Sequence, residues 1–202
     1  MSAASLPPFP TSAEALPRKR FTRDEVERYV EAGFFDGQRF ELIDGDLLDK
    51  MGQKPPHAMG IRLIQAWLSR IVGGDRVQSQ LPIETAGADR ERSLPEPDVA
   101  VLAESKPEYH NERHPRGDEL LLVVEVSDTT AAFDLSRKAV LYANAGVPEY
   151  WVLDLTRRVL VVHRQPAGPT YRLRQLFSEA DTVSMEGGTE TVRVSELLPI
   201  RS

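Results

Sequence analysis

Two carboxylates in this chain stand where their neighbours are apolar. Glu125 follows the run Leu120–Val124 in ELLLVVEVSDTT, and Asp98 lies between Pro97 and the apolar string VAVL. Removing a carboxylate from water is costly unless it is paired, hydrogen-bonded or bound to a metal, and two side by side also repel each other. A divalent cation answers both difficulties, so the pair is a candidate metal site if its strands are neighbours. Ordinary roles compete with this: aspartate before a strand forms turns, and a strand-end glutamate can pair with an arginine. Further along, Asp134 and Lys138 lie four residues apart in AAFDLSRKAVLYANAG. On an exposed helix they would form an ion pair contributing about 0.3–0.5 kcal/mol. On a helix laid across the sheet, Lys138 would instead aim its ammonium into the acidic site, orient a water and offset charge on a phosphate. Tyr142, one turn later, shares that helical face.

These residues need elements to hold them. Thr22 with Glu25 makes a capping box, and TRDEVERYVEAG continues with Val26, Tyr29 and Val30 at helical spacing until Gly33. RFELIDGDLLDK predicts a hairpin turning at Asp44-Gly45. HAMGIRLIQAWLSRIV puts Ile61, Ile64, Leu68 and Ile71 on one helical face, ended by Gly73-Gly74. Strands are expected over 76–84, 97–102 and 119–126, with an exposed loop between the last two. By alternation, Glu125 would share a face with Leu121 and Val123. The helix carrying Lys138 should close at Gly146 before Pro148, and EYWVLDLTRRVLVVHR reads as two strands about a turn, with YRLRQLF adding another. This order describes an α/β or α+β domain over residues 21–202, a mixed sheet with helices packed on it.

Composition narrows the function. With 202 residues, 41% hydrophobic and 28% charged, the chain has the profile of a soluble single domain. Its apolar runs, about five residues long, are far short of the roughly 20 that cross a bilayer. A cytoplasmic location without membrane association is the default expectation, and residues 1–20, rich in Pro, Ala and Ser, read as a flexible leader. There is no cysteine, hence no disulfide, thiolate zinc site or cysteine nucleophile. A net charge of −6 argues against coating nucleic acid by bulk charge, although a local basic cleft is compatible with it.

The strings EPDVAVL, LLLVVEVSDTT and DLSRKAVLYANAGVPEYWVLDL, together with RFELIDGDLL and PPHAMGIRLIQAWL, resemble the Uma-two family of restriction-endonuclease-like proteins, a branch of the PD-(D/E)xK nucleases. The resemblance covers about residues 20–165. It implies a restriction-endonuclease-like core, a central mixed β-sheet flanked by helices, and a magnesium or manganese site in which Asp98 and Glu125 are ligands with Glu41 of FELIDG as a third. Ser127 stands where the superfamily motif places lysine, and the family pattern moves that lysine to Lys138. Catalysis would then rest on Asp98, Glu125 and Lys138, acting on nucleic acid, with DNA the expected substrate. The resemblance also implies a homodimer, whose two copies of the chain would enclose a duplex.

Other residues have weaker claims. His57, near the N-terminus of the second helix, could contact a phosphate, and is otherwise a surface or capping residue. Gln80 could approach the acidic cluster from its strand, although surface placement is its ordinary fate. His110, His114 and Asp118 lack the spacing of a helix-borne zinc motif. Neither GxSxG nor GxxxxGK[ST] occurs, so serine-hydrolase and nucleotide-triphosphate chemistry find no support. The rival class is a noncatalytic nuclease-like scaffold that binds nucleic acid or a protein partner, motivated by arginines that form no continuous basic run.

Overall fold

The computed structural model describes residues 18–50 and 54–201. Most of the expected leader, residues 1–17, lies outside the described residues. Of its basic end, Lys19 pairs with Glu25 at 2.7 Å and Arg20 with Asp46 at 2.7 Å, so these two side chains lie against the domain.

Helix α1 (Arg23–Glu31) begins at the expected capping box, Thr22 with Glu25. The hairpin β1 (Phe40–Ile43) and β2 (Asp46–Asp49) turns at Asp44 and Gly45, whose φ values of 56° and 79° are the left-handed conformations that a two-residue turn requires. Helix α2 (Pro55–Val72) ends at Gly73. After it come the short β3 (Val77–Gln78), β4 (Val99–Leu102), the single-turn α3 (Glu108–Asn111) and β5 (Leu120–Ser127). A continuous helical segment follows: α4 (Ala131–Phe133), a π turn over Asp134–Lys138, and α5 (Ala139–Asn144). Strands β6 (Glu149–Asp154), β7 (Val159–Ala167) and β8 (Thr170–Ser178) complete the main sheet. The chain closes with β9 (Thr182–Ser184), β10 (Thr191–Arg193) and α6 (Val194–Leu197).

The main sheet has six strands in the order β3-β4-β5-β6-β7-β8, antiparallel except for the parallel pair β5-β6. A crossover is needed only there, and the 131–144 helical segment supplies it. Each face of the sheet has its own apolar layer. Ile61, Ile64, Trp67 and Leu68 of α2 cover Val99, Val101, Leu122 and Val124, a layer that β9, β10 and α6 extend through Val183, Val192, Val194 and Leu197. On the opposite face Tyr142 and Ala145 pack on Ala100, Leu102, Val123 and Val152. The architecture is therefore the mixed, helix-flanked sheet that the sequence pattern describes. No helix among the described residues is long and apolar enough to cross a membrane.

Three local expectations fail. The strand expected over 76–84 stops at Gln78, because Gln80 takes a φ of 54° and directs its N–H toward the carbonyls of Pro97 and Asp98. Leu121 does not share a face with Glu125. A β-bulge sets Leu120 opposite Leu102 but Leu122 opposite Val101, which leaves Leu121 as an extra residue packed with the α2 layer. The loop after β4 is not wholly exposed either: Pro115 and Gly117 are buried, and a Cβ on Gly117 would stand 2.4 Å from the Ala145 carbonyl oxygen.

Candidate active site

The antiparallel register of β4 and β5, with Val99 opposite Val124, brings Asp98 to the side of Glu125. The Val126 N–H donates to Asp98 Oδ2 at 2.8 Å, tying the carboxylate to the neighbouring strand. On the other side His57, in the first turn of α2, puts Nε2 3.3 Å from the same oxygen. Burial works against charge on Asp98, but His57, Lys50 and the Val126 N–H outweigh it and hold the carboxyl below its usual range. For His57, burial opposes protonation; the contacts with Asp98 prevail and raise its pKa. Its Nδ1 is buried without a hydrogen-bond partner among the described residues.

Glu125 is 3% exposed, at the centre of the sheet. Lys138 Nζ lies 2.9 Å from Glu125 Oε1 and 2.9 Å from Glu41 Oε1, while Asp134 Oδ1 is 3.9 Å away. Glu41 arrives on β1, which the Leu94 N–H to Leu42 carbonyl bond fastens in front of β4; the Glu96 N–H donates to its second oxygen at 3.3 Å. Asp134 in turn accepts from Ser127 Oγ at 2.7 Å and Thr130 Oγ1 at 2.6 Å. Ser127, two residues after Glu125, thus anchors the helical segment that delivers Lys138.

Three carboxylates surround one ammonium, with Asp98 beside Glu125, and the electrostatics follow. Burial pushes the Glu125 carboxyl up to about 8; Lys138 pulls it down, but Asp98, Asp134 and Glu41 add to the rise. Asp134 is likewise raised, chiefly by burial. Burial alone would discharge Lys138, yet Glu125, Glu41 and Asp134 more than compensate and push its pKa up, so it stays a cation. Asp134 and Lys138 are each 3% exposed, so theirs is not the surface pair that four-residue spacing most often produces.

These groups line a cavity of about 520 Å³, together with Lys50, Lys54 and Asp128. Two expected substrate contacts lie elsewhere. Tyr142 is fully buried and donates from its hydroxyl to Glu125 Oε1 at 2.6 Å, so it supports the carboxylate from within the core. Gln80 is not among the cavity's lining residues, and its backbone braces the Pro97-Asp98 turn. Conversely, Lys50 and Lys54 carried no motif in the sequence and enter the site only through the fold. Asp134 was visible through its spacing to Lys138, but not as a fourth member of the acidic cluster.

The oxygen donors suit a hard divalent cation, and the excess of carboxylates over cations gives such an ion an electrostatic reason to bind. Among the described residues, however, no three His, Asp or Glu side chains are already spaced to hold one metal in common. Lys138 occupies the space between Glu41 and Glu125, so an ion shared by those two carboxylates would have to displace part of that contact.

A mixed sheet with two acidic strand ends and a lysine on the adjacent helix defines a nuclease-like core. A model of the Uma2 family, described as "Putative restriction endonuclease", matches residues 24–197, and the chain belongs to that family. The match extends beyond residue 165 and takes in β9, β10 and α6, which pack into the α2 layer. A solved structure described as a "putative nuclease" from Anabaena variabilis is similar in fold, with a TM-score of 0.63 at 14% identity, covering 88% of this chain and 97% of its own. No curated protein matches the sequence.

Proposed function

We propose that this protein is a magnesium- or manganese-dependent endonuclease that hydrolyses phosphodiester bonds of DNA. The convergence of Glu41, Asp98, Glu125 and Asp134 on one cavity with a buried, charged Lys138 carries the proposal. A divalent ion held by Asp98 and Glu125, with Glu41 beside them, would supply a water of lowered pKa and a counter-charge for the phosphate. The remaining work falls to the chain. Lys138 orients the attacking water and offsets charge developing on the phosphate oxygens. His57 keeps Asp98 ionised and presents its imidazole to the cavity. Tyr142 fixes the rotamer of Glu125, and Asp134 restrains the lysine. Two copies of the chain would place two such cavities against a duplex.

One observation favours the rival reading, a noncatalytic nuclease-like binding or scaffold protein. Each carboxylate already has protein partners, and the ion network is closed without a metal. Thermal unfolding with and without manganese separates the two, because a ligand of the folded state raises stability by mass action. The nuclease proposal expects a manganese-dependent rise in Tm that Asp98→Asn abolishes, and plasmid cleavage that Lys138→Ala loses. No rise and no cleavage would leave the scaffold reading; cleavage by Lys138→Ala at the wild-type rate would remove Lys138 from the mechanism.

A further inference from the structure

The two edges of the main sheet differ. On one side β3 is two residues long, whereas on the other β8 runs for nine residues and pairs only with β7. Five consecutive side chains of β8, Arg172 to Leu176, are exposed, with Leu173 at 36% and Leu176 at 57%. The strand therefore presents a row of backbone N–H and C=O groups without a second strand, beside exposed leucines, and such an edge is a template for pairing. Its sequence, TYRLRQLFS, has no proline, glycine or lysine to discourage that, and from Leu173 to Ser178 its pairing with β7 keeps one register without a bulge. Arg172 and Arg174 are its only charges, and they decide which strand can dock.

A second copy of β8 answers those charges in one register. In an antiparallel pair about a two-fold axis normal to the sheet, each face maps onto itself, so the axis passes through a residue and not between two. An axis at Leu173 sets Arg172 opposite the partner's Arg174, and one at Arg174 sets that arginine on its own copy; like charges directly opposite are destabilising. An axis at Leu176 sets Gln175 opposite Phe177 and carries Leu173 past the partner strand's end. An axis at Gln175 avoids all of these. Leu173 then faces the partner's Phe177, whose ring belongs to the α2 layer on that side, and the stem of Arg174 covers the partner's exposed Leu176. On the same face, one step further, Asp181 Oδ2 accepts from the Ser178 N–H and from Ser178 Oγ at 2.7 Å each, so an exposed carboxylate sits diagonal to Arg174, within reach of a long side chain. Arg174 has no carboxylate partner in its own chain among the described residues, and the side chain of Gln175 has only a long contact there, accepting from Arg164 at 3.5 Å. We infer that β8 is a self-association edge, on which a second copy of this chain adds its own β8 antiparallel about Gln175, joining the two six-stranded sheets into one. The pairing needs neither metal nor nucleic acid, so it stands or falls apart from the nuclease reading.

Sedimentation equilibrium of the full chain at roughly 100 μM, a concentration suited to a small interface, should give twice the chain mass of 22.6 kDa. The register is read by cross-linking. Because the chain has no cysteine, Gln175→Cys supplies a single thiol, which meets its own copy at the axis and should form a disulfide-linked dimer with oxidised glutathione. Leu173→Cys should not, since its copy lies four residues along the partner strand, about 13 Å away and past disulfide reach. Arg174→Glu, which sets a carboxylate toward the partner's Asp181, should weaken the dimer about fivefold or more. All three positions are exposed, and circular dichroism checks that each variant keeps the fold. A mass of 22.6 kDa at that concentration would overturn the inference. So would cross-linking through Leu173→Cys or Leu176→Cys at least as fast as through Gln175→Cys, or an unweakened dimer of a folded Arg174→Glu chain.

Discussion

Glu125 makes the protein pay for its acidic centre, and Glu125→Gln should show by how much. An unfolded glutamate titrates near 4.5, whereas in the fold Glu125 is raised to about 8. Between these values the native state binds more protons than the unfolded one, so this residue's contribution to stability is fully present below about pH 4.5 and declines as pH rises through about 8. At about 1.4 kcal/mol for each tenfold in proton affinity, the interval caps the loss near 5 kcal/mol. Lys138 opposes the rise and the titration of Glu125 is linked to its neighbours, so the realised loss is smaller, a few kcal/mol. Glutamine fills the same volume, can accept from Tyr142 and cannot ionise. In chelator, the Tm of Glu125→Gln relative to wild type should therefore increase from about pH 5 to about pH 9, by roughly 4–8 °C if the difference is 2 kcal/mol in a chain of this size. Parallel Tm curves for the two proteins across that range would refute the assignment of Glu125 as a buried carboxyl held above its ordinary pKa.

Two further outcomes test the framework around the site. Gly117→Ala places a Cβ 2.4 Å from the Ala145 carbonyl oxygen and should cost about 1–3 kcal/mol in urea unfolding. Gly74→Ala, with nothing within 4 Å of the added carbon, should be close to neutral, and equal effects at the two positions would contradict the packing described for Gly117. Glu149 is fully buried and accepts from Arg164 Nε at 2.7 Å, from Trp151 Nε1 at 2.8 Å and from the Glu186 N–H at 2.6 Å. Glu149→Ala leaves Arg164 without that buried partner, at a cost of about 3–5 kcal/mol. The change should also loosen the segment around Glu186, seen as faster proteolysis there.

Sequence by itself determined the elements and most of the site. The capping box at Thr22, the Asp44-Gly45 turn, the spacing of Ile61, Ile64 and Leu68, and the apolar runs of β4 and β5 are local rules, each legible within a few residues. Asp98 and Glu125 were conspicuous because charge beside an apolar strand needs a partner, and Lys138 because it sits four residues after an aspartate. Tertiary structure decided which partners they found. Strand register put Asp98 against Val126 and Glu125 within reach of Tyr142, while the bulge turned Leu121 to the opposite face. The helical segment crossing between parallel strands turned an apparent surface pair into a buried ammonium among carboxylates. Lys50 and Lys54 gave no signal, since a surface lysine looks the same in sequence whether it faces solvent or a cavity. The physical reason is range: capping and periodicity act over one or two turns, whereas burial and electrostatic neighbours depend on contacts between residues as distant as Glu41 and Lys138.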